Sequence, residues 1–431
     1  MMNRLSYILI LGICLLITCS QLQAAERFPP PEFENHVLPE TTVPAPHQDI
    51  YEYIDVAVLF AALCLASYLV LKKRNRRYIF ALMIFSLIYF GFWRKGCVCS
   101  IGALQNVALS LFDSNYAIPI GVLLFFLLPL IFTLFFGRMF CAAVCPLGAI
   151  QDVFLLKPIP VPRWLENALR LFAYVYLAVA ILFAITGSAF IICRYDPFIS
   201  LFRLSGSLNM LVLGGCVLLI GVFIGRPYCR FICPYGVILR QLSRVSRQQV
   251  TITPDDCIKC RLCEDACPFG AITRPTHQWP QTDYSMNKKR LAFFIVLLPV
   301  LVLLCGWAGN ALSGSASRVH VTVRLAERIY AEDAGDVKDT TDASLAFRAT
   351  GKPVKELYSE ADVIREKFAL DGCLLGAFLG LVIGIKLIGS TIQWHREDYQ
   401  ADRAGCVACG RCFQYCPREH DRLKKLNEHS K

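Results

Sequence analysis

Apolar residues gather in seven runs long enough to be membrane helices, with polar or basic segments between them. The runs lie near 54–71, 78–93, 118–136, 167–186, 208–225, 291–309 and 371–390. A helix needs about 20 largely apolar residues to cross a bilayer core, so the shorter runs are marginal. An earlier run, Leu5 to Thr18, follows the single basic residue Arg4 and precedes Ala24 and Ala25. That order reads as a secretory signal peptide over 1–25, with a retained anchor helix as the alternative. Residues 26–53 carry Pro29, Pro30, Pro31, Pro39, Pro44 and Pro46 and predict an extended outer segment. Between the last two runs, 310–370 is mixed. Arg318 to Tyr330 reads as a strand start continuing as helix, and Ala343 to Lys367 reads as helix broken at Gly351 and Pro353.

Composition narrows the class. Hydrophobic residues make up 55% and charged residues 18% of the 431, with mean hydropathy +0.49. Soluble domains carry about 25% charge. A disordered chain, a fibrous one and an ordinary cytosolic enzyme are excluded, leaving a mainly α, polytopic membrane helix bundle of about seven spans. The net charge of +11 concerns loop topology before nucleic acid, and no nucleic-acid partner is expected. Lys and Arg number 28 in loops 72–77, 137–170 and 226–290 and the tail after 390, against five in 26–53, 94–117 and 187–207. This asymmetry predicts an amino terminus outside and a cytoplasmic carboxyl terminus, in a bacterial inner (cytoplasmic) membrane.

The 21 cysteines carry the chemistry. Cys257, Cys260, Cys263 and Cys267-Pro268 follow the spacing C-x2-C-x2-C-x3-C-P, and Cys406, Cys409, Cys412 and Cys416-Pro417 repeat it. Three closely spaced thiolates wrap one iron–sulfur cubane, and the fourth, before proline, ligates the other cluster of a pair. The expected sites are Cys257, Cys260, Cys263 with Cys416, and Cys406, Cys409, Cys412 with Cys267. Zinc sites instead pair two C-x2-C hairpins. About 140 residues separate the strings, yet the topology returns both to the cytoplasmic side.

A second repeat follows two apolar runs. Gly137-Arg138 leads to Cys141 and Cys145-Pro146, and Gly225-Arg226 leads to Cys229 and Cys233-Pro234. Proline suits a first helical position, so Cys145 and Cys233 are expected as helix N-caps with lowered thiol pKa. These four thiols are possible additional redox groups. They would bind a third metal centre, form redox disulfides or contact a quinone, or simply pack. After the second copy, Ile238, Leu239, Leu242 and Val245 are expected to face lipid while Arg240, Arg244 and Arg247 face headgroups. A degenerate third copy, Cys97-Val98-Cys99-Ser100-Ile101-Gly102-Ala103-Leu104-Gln105, aligns from Cys145 onward and lies outside by charge, as does Cys193. These three thiols either bind copper or pair, or they are a vestigial structural repeat. Cys14, Cys19, Cys64, Cys216, Cys305 and Cys373 lie in apolar runs and read as core or as removed with the signal peptide. His36, His47 and His320 read as solvated. Lys386, near the inner end of the last span, is placed to snorkel.

With these motifs the chain resembles the membrane-bound polyferredoxin family (NosR/NapH-like 4Fe-4S ferredoxin-type integral membrane proteins). The likeness covers roughly 50–420 and implies electron transfer between two cytoplasmic 4Fe-4S clusters and a quinone or periplasmic redox partner. A member linked to copper and oxidase assembly suggests the alternative of a copper-handling assembly factor. One relative carries covalent flavin on a Ser/Thr-Gly-Ala-Ser/Thr motif. Thr186-Gly187-Ser188-Ala189 is not such a motif, so a flavin partner would be a separate flavoprotein. The implied division is a signal peptide (1–25), a Pro-rich segment (26–53), a five-helix membrane region (54–248), a first ferredoxin segment (249–290), a helix (291–309), an outer loop domain (310–370), a helix (371–390) and a second ferredoxin segment (391–431). Arg138, Arg226, Lys259, Arg261 and Arg411 are expected to offset cluster charge. Membrane lipid and a cytoplasmic reductant complete the expected partners.

Overall fold

The computed structural model describes residues 49–429 apart from 97–98, 115, 204–206, 253–256, 277–280, 338 and 393–395. The signal peptide, nearly all of the Pro-rich segment, Cys14, Cys19, Cys97, His36 and His47 lie outside the described residues. Helix α1 (Asp49–Tyr68) runs on through a π-helical turn to Lys73, and α2 (Arg76–Ser86) continues likewise to Trp93. Next come α3 (Ser100–Phe112), α4 (Ile120–Phe136), α5 (Pro146–Val153), α6 (Arg163–Ile185), α7 (Ile191–Arg194), α8 (Pro197–Arg203), α9 (Leu208–Gly221), α10 (Pro227–Phe231) and α11 (Pro234–Arg244).

Among the described residues, five helices are long and apolar enough to cross a membrane: Ile50–Lys73, Arg76–Trp93, Trp164–Ile185, Asn287–Ser317 and Val354–Thr391. The bent pair α8 and α9 makes a sixth if counted as one span, and α4 is a shorter apolar helix. The runs at 118–136 and 208–225 thus give the shorter helices, and both carry C-x3-C-P turns. Each meets its Gly-Arg step, where left-handed backbone at Gly137 (φ 77°) or Arg226 (φ 49°) ends the helical path. The following cysteines turn back against the bundle.

The last two spans form a hairpin. Helices α13 (Gln281–Ser317) and α16 (Val354–Thr391) pack along their length, and Gly372, Gly376, Gly380 and Gly384 form a four-residue stripe between them. A Cβ at Gly376 or Gly380 would collide with the carbonyls of Cys305 or Leu301. Small residues at this spacing let membrane helices approach to backbone contact. The hairpin extends past the apolar run and carries α14 (Val321–Asp333) and α15 (Asp342–Ala349). Where a strand is expected from Arg318, the chain turns through Arg318 to His320 and enters helix at Val321. His320 caps α14 by accepting the Thr322 N–H (3.2 Å), and Val323, Ala326 and Ile329, at helical spacing, bury against Leu357 and Ala361.

Two further readings are corrected. Leu239 does not face lipid: it is 1% exposed in the main core, because α11 packs against α6, α4 and α3 rather than lying on a surface. Cys64 is exposed on α1 rather than core, whereas Cys216 is buried.

The two cysteine strings form one small unit. Strand β1 (Ile272–Thr273) pairs antiparallel with β2 (Gln400–Ala401), and α12 (Leu262–Asp265) lies against α17 (Arg411–Tyr415), which precedes α18 (Pro417–His429). Buried charges bind this unit to the bundle. Arg74 Nε donates to Glu419 Oε1 (2.6 Å) and its Nη2 to the Thr251 and Ile252 carbonyls, while its guanidinium lies 4.1 Å over the Phe413 ring. Asp152, fully buried, meets Arg76 Nη2 at 2.5 Å, Arg226 Nε at 3.4 Å and Arg411 Nη2 at 3.5 Å. Burial alone would raise its carboxyl pKa; Arg226, Arg76 and Arg411 outweigh burial and hold it at about 2.

Because that value lies below the ordinary 3.8, the clamp's contribution is intact above about pH 4 and is lost as pH falls toward 2. At neutral pH, Asp152→Asn leaves three arginines without their carboxylate, a change that costs about 3–5 kcal/mol for a buried pair. Thermal unfolding in detergent should drop accordingly, with early loss of iron. Exposed Glu360→Gln should leave both unchanged.

Candidate iron–sulfur centre

Both cysteine strings follow the same backbone path. Lys259 and Ala408, two residues after the first cysteines, are left-handed at φ 55°, and Arg261 and Gly410, two further on, at 67° and 75°. These reversals curl each C-x2-C-x2-C into a loop that enters a one-turn helix bearing the third cysteine. Glycine suits Gly410, where a Cβ would also press on Ile79 Cδ1 at 2.9 Å. Arg261 holds the same conformation against a steric cost of about 1–2 kcal/mol.

The loops bring Cys260 and Cys263 near Cys416, and Cys406, Cys409 and Cys412 near Cys267. Burial pushes Cys263 up to about 11, and Cys257, Cys260 and Cys416 act on it as well. Cys416, raised by burial, in turn feels Cys260. Burial pushes Cys406 up to about 12 with Cys409 and Cys267 adding, and it raises Cys412, on which Cys406, Cys409 and Cys267 act. Crowded, buried thiols keep their protons until cations replace them, the behaviour expected of a metal-ligand set. The Ala408 N–H donates to Cys406 Sγ (3.4 Å). Among the described residues no three His, Cys, Asp or Glu side chains converge on a single-ion site. Ligands of a cubane bind different irons and need no such convergence.

The C-x3-C-P turns build a second thiol set. Cys141, Cys145, Cys229 and Cys233 line one small cavity with Arg138 and Tyr235. The repeat holds in three dimensions: a Cβ at Gly148 would meet the Cys141 carbonyl at 3.4 Å, and one at Gly236 the Cys229 carbonyl at 3.3 Å. Cys145 and Cys233 are the N-caps of α5 and α11, and Cys233 Sγ accepts the Gly236 N–H (3.3 Å). Their pKa values are not lowered, however. Burial raises both, and the neighbouring thiols raise them further. Arg138 Nη2 lies 3.7 Å from Cys141 Sγ, and Gln151 Nε2 3.3 Å from Cys229 Sγ.

The degenerate copy mirrors this set. Cys99 caps α3 as Cys145 caps α5. Six residues on, Gln105 Oε1 accepts the Ile192 N–H (2.9 Å), just as Gln151 Oε1 accepts that of Tyr228 (3.0 Å). Each bonded amide precedes a cysteine, so Cys193 stands where Cys229 does. Asp196-Pro197 stands where Cys233-Pro234 does, and Asp196 Oδ1 accepts the Phe198 N–H (2.9 Å). A Cβ at Gly102 would come within 3.1 Å of Cys193 Sγ. Cys99, Asp196 and Cys145 line one cavity.

The predicted charge-offsetting residues divide. Arg138 touches Cys141, Arg226 and Arg411 serve Asp152, and Lys259 and Arg261 are exposed, the first near Asp398 and the second near Glu264. Sequence reasoning missed Arg74, Asp152, Glu419, Gln105 and Gln151. Asp152, Gln105 and Gln151 are signalled as polar residues inside apolar or cysteine motifs, whereas Arg74 stands in a basic run and Glu419 just past Cys416-Pro417.

Thiol strings of this kind on a helical membrane bundle define a ferredoxin-type 4Fe-4S membrane protein, and the chain is one. Family models described as 4Fe-4S binding domains match 118–162 and 207–252, the two C-x3-C-P regions, and 250–273, the first string. The uncharacterized protein MJ0750 of Methanocaldococcus jannaschii is 29% identical over 191 residues, 42% of this chain and 77% of that protein. The putative electron transport protein YccM of Escherichia coli is 23% identical over 186 residues, 39% of this chain and 52% of that protein. Protein NirI of Paracoccus denitrificans is 29% identical over 152 residues, 32% and 22% respectively. The match thus spans about half of YccM and less of NirI. No solved structure matches the chain. The chain thus carries 4Fe-4S binding domains on a bundle of apolar helices long enough to cross a membrane.

Exchanged ligation makes a crosswise forecast. Cys416→Ser should disturb the electron paramagnetic resonance signal of the cluster at Cys257, and Cys267→Ser that of the cluster at Cys406. If each substitution disturbed only its own string's cluster, the exchange would be refuted.

Proposed function

We propose that the protein carries electrons across a bacterial inner membrane, between two cytoplasmic 4Fe-4S clusters and a quinone or periplasmic redox partner. The observation that carries this reading is the unbroken adjacency of its thiol sets. Cys263, Cys267 and Cys412 share one packed cluster of side chains, and Cys267, Cys406, Cys409 and Cys141 share another. Cys141 to Cys233 line the next cavity, and Cys145 and Cys99 the one after.

In this reading Cys257, Cys260, Cys263 and Cys416 hold one cubane and Cys406, Cys409, Cys412 and Cys267 the other. When bound, the clusters supply one-electron carriers. Cys141, Cys145, Cys229 and Cys233 hold a third centre, supported by the 4Fe-4S domain matches over both turns. Arg138 and Gln151 steady its thiolates, and apolar packing keeps water from it. The excess of Lys and Arg in the loops supports a cytoplasmic side for the two strings, where a soluble reductant would reach exposed Cys260.

Iron analysis should give about twelve irons per chain, falling to about eight in Cys145→Ser with both string clusters intact. In sealed vesicles, Cys145→Ser should slow electron flow from an external reductant to a trapped acceptor at least tenfold. Equal rates would defeat the proposed path.

A second reading, copper handling for a periplasmic or membrane metalloenzyme, is favoured by the meeting of Cys99, Cys193 and the buried Asp196. It expects Cys99→Ser to abolish maturation of a copper enzyme while iron content stays the same. Full maturation in that variant would rule it out.

A further inference from the structure

A cavity of about 1760 Å³ has the first cysteine set, Cys257, Cys260, Cys263 and Cys416, at one end and extends well beyond it. It runs from the thiols of Cys260 and Cys416 up between α6, α11 and α16. Its membrane end is lined by Leu171, Leu177, Phe378, Leu381, Val382 and Ile385. Its middle is lined by Arg170, Arg240, Arg244 and Lys386.

Among the described residues Arg240, Arg244 and Lys386 have no ion-pair partner, while Arg170 pairs with Glu166. Lys386 does not snorkel to water: its Nζ is buried with no hydrogen-bond partner, 4.8 Å from the Tyr174 ring centroid. Arg240 Nε and Arg170 Nε are buried without hydrogen bonds as well. Lys386 is within electrostatic reach of Arg240, Arg170 and Arg244, all of its own sign. Glu166 pairs with Arg170 but also takes Arg230 at 2.7 Å. Of the carboxylates lining the cavity, Asp398 lies 3.9 Å from Lys259, and Asp402 accepts the N–H groups of Gly405 (2.8 Å) and Ala404 while its charge also acts on Arg170. Buried like charges without a counterion are costly, and the arrangement calls for an anion.

We infer that this cavity binds the headgroup of an anionic phospholipid, with Lys386, Arg240 and Arg170 on its phosphate and an acyl chain along Leu381 and Ile385. The geometry combines an apolar wall on the last span with a cationic floor where that span meets the ferredoxin unit. Basic pockets between membrane helices at the interface suit acidic headgroups. A neutral quinone ring would offer hydrogen-bond acceptors to these groups but no charge to balance them. Tyr174 and Gln241, bonded to each other at 2.5 Å, close the pocket beside Lys386. The bound lipid seals the seam between the hairpin and the bundle next to the first cysteine set.

The test uses the full, iron-loaded chain in detergent after delipidation. Phosphatidylglycerol should raise the unfolding midpoint by roughly 3–6 °C in a concentration-dependent way, whereas phosphatidylcholine and inorganic phosphate should not. Extracts of the untreated protein should retain phosphatidylglycerol or another acidic lipid. The response should vanish in the Lys386→Gln, Arg240→Gln double variant with iron content unchanged. Should that variant fail to load iron, Lys386→Gln alone is measured and should weaken the response at least tenfold in half-saturating lipid. An equal response to phosphatidylcholine, a full response to phosphate alone, or displacement of the lipid by a short-chain quinone would each overturn the inference.

Discussion

One buried carboxylate holds the architecture together. Asp152 sits at the end of α5, just beyond the first C-x3-C-P turn, and gathers Arg76 from α2, Arg226 from the second turn and Arg411 from the second cysteine string. A single ion taken out of water is expensive, and its removal cost is recovered only when well-placed partners surround it. Here the partners come from three segments far apart in sequence, so the carboxylate is satisfied only when all of them have docked. Arg226 binds in two directions at once, reaching Asp152 through Nε and donating to the carbonyls of Cys141 and Ala142. The clamp that seats the ferredoxin unit therefore also fixes the backbone of the first turn. Cluster loops and turn thiols acquire one shared geometry from it.

The same logic separates what the sequence discloses from what it hides. Periodicity and spacing disclose local facts: the apolar runs become helices, and the repeated cysteine strings become twin loops with left-handed backbone at matching positions. The meeting of Cys416 with Cys260 follows from a pairing rule that needs only the spacing. Charges are different, because a basic residue near a span end looks alike whether it faces water or a buried acid. Lys72, Arg74 and Arg76 stand in one basic run, yet Lys72 is exposed while Arg74 reaches a glutamate 345 residues away. Lys386 and Leu239 were misread for the same reason: their partners come from helices whose packing no local pattern encodes.

The C-x-C copy shows a subtler limit. Read alone, Cys97 to Gln105 is a damaged motif, and Cys193 is an isolated residue. Placed together, the hydrogen bonds of Gln105 and Gln151 put Cys193 in register with Cys229, and an Asp-Pro takes the place of a Cys-Pro. A short acidic side chain preserves the N-cap function of the cysteine it replaces, since either accepts amide hydrogens at a helix start. The helix ends are thus kept while the chemistry of the site is changed. That is how a repeat can diverge without losing its fold.

The long interruption between the cysteine strings raises a last question, since the two strings pack as one small unit and need their loops held close. Loop-closure entropy grows only logarithmically, by about 0.6 kcal/mol for each doubling of length. Length itself is therefore a small obstacle. What matters is whether the insertion returns its ends to one place, and the glycine stripe of α16 makes it do so. Backbone contact at Gly372, Gly376 and Gly380 closes α13 and α16 into a rigid hairpin. At its neck the Thr276 N–H donates to the Arg396 carbonyl, and the Arg396 N–H donates to Thr276 Oγ1, both at 2.9 Å. The β1–β2 pair lies just beyond that neck, three residues before Thr276 and four after Arg396. The hairpin thus acts as a preformed staple, and the strings on either side of it meet as though they were adjacent in sequence.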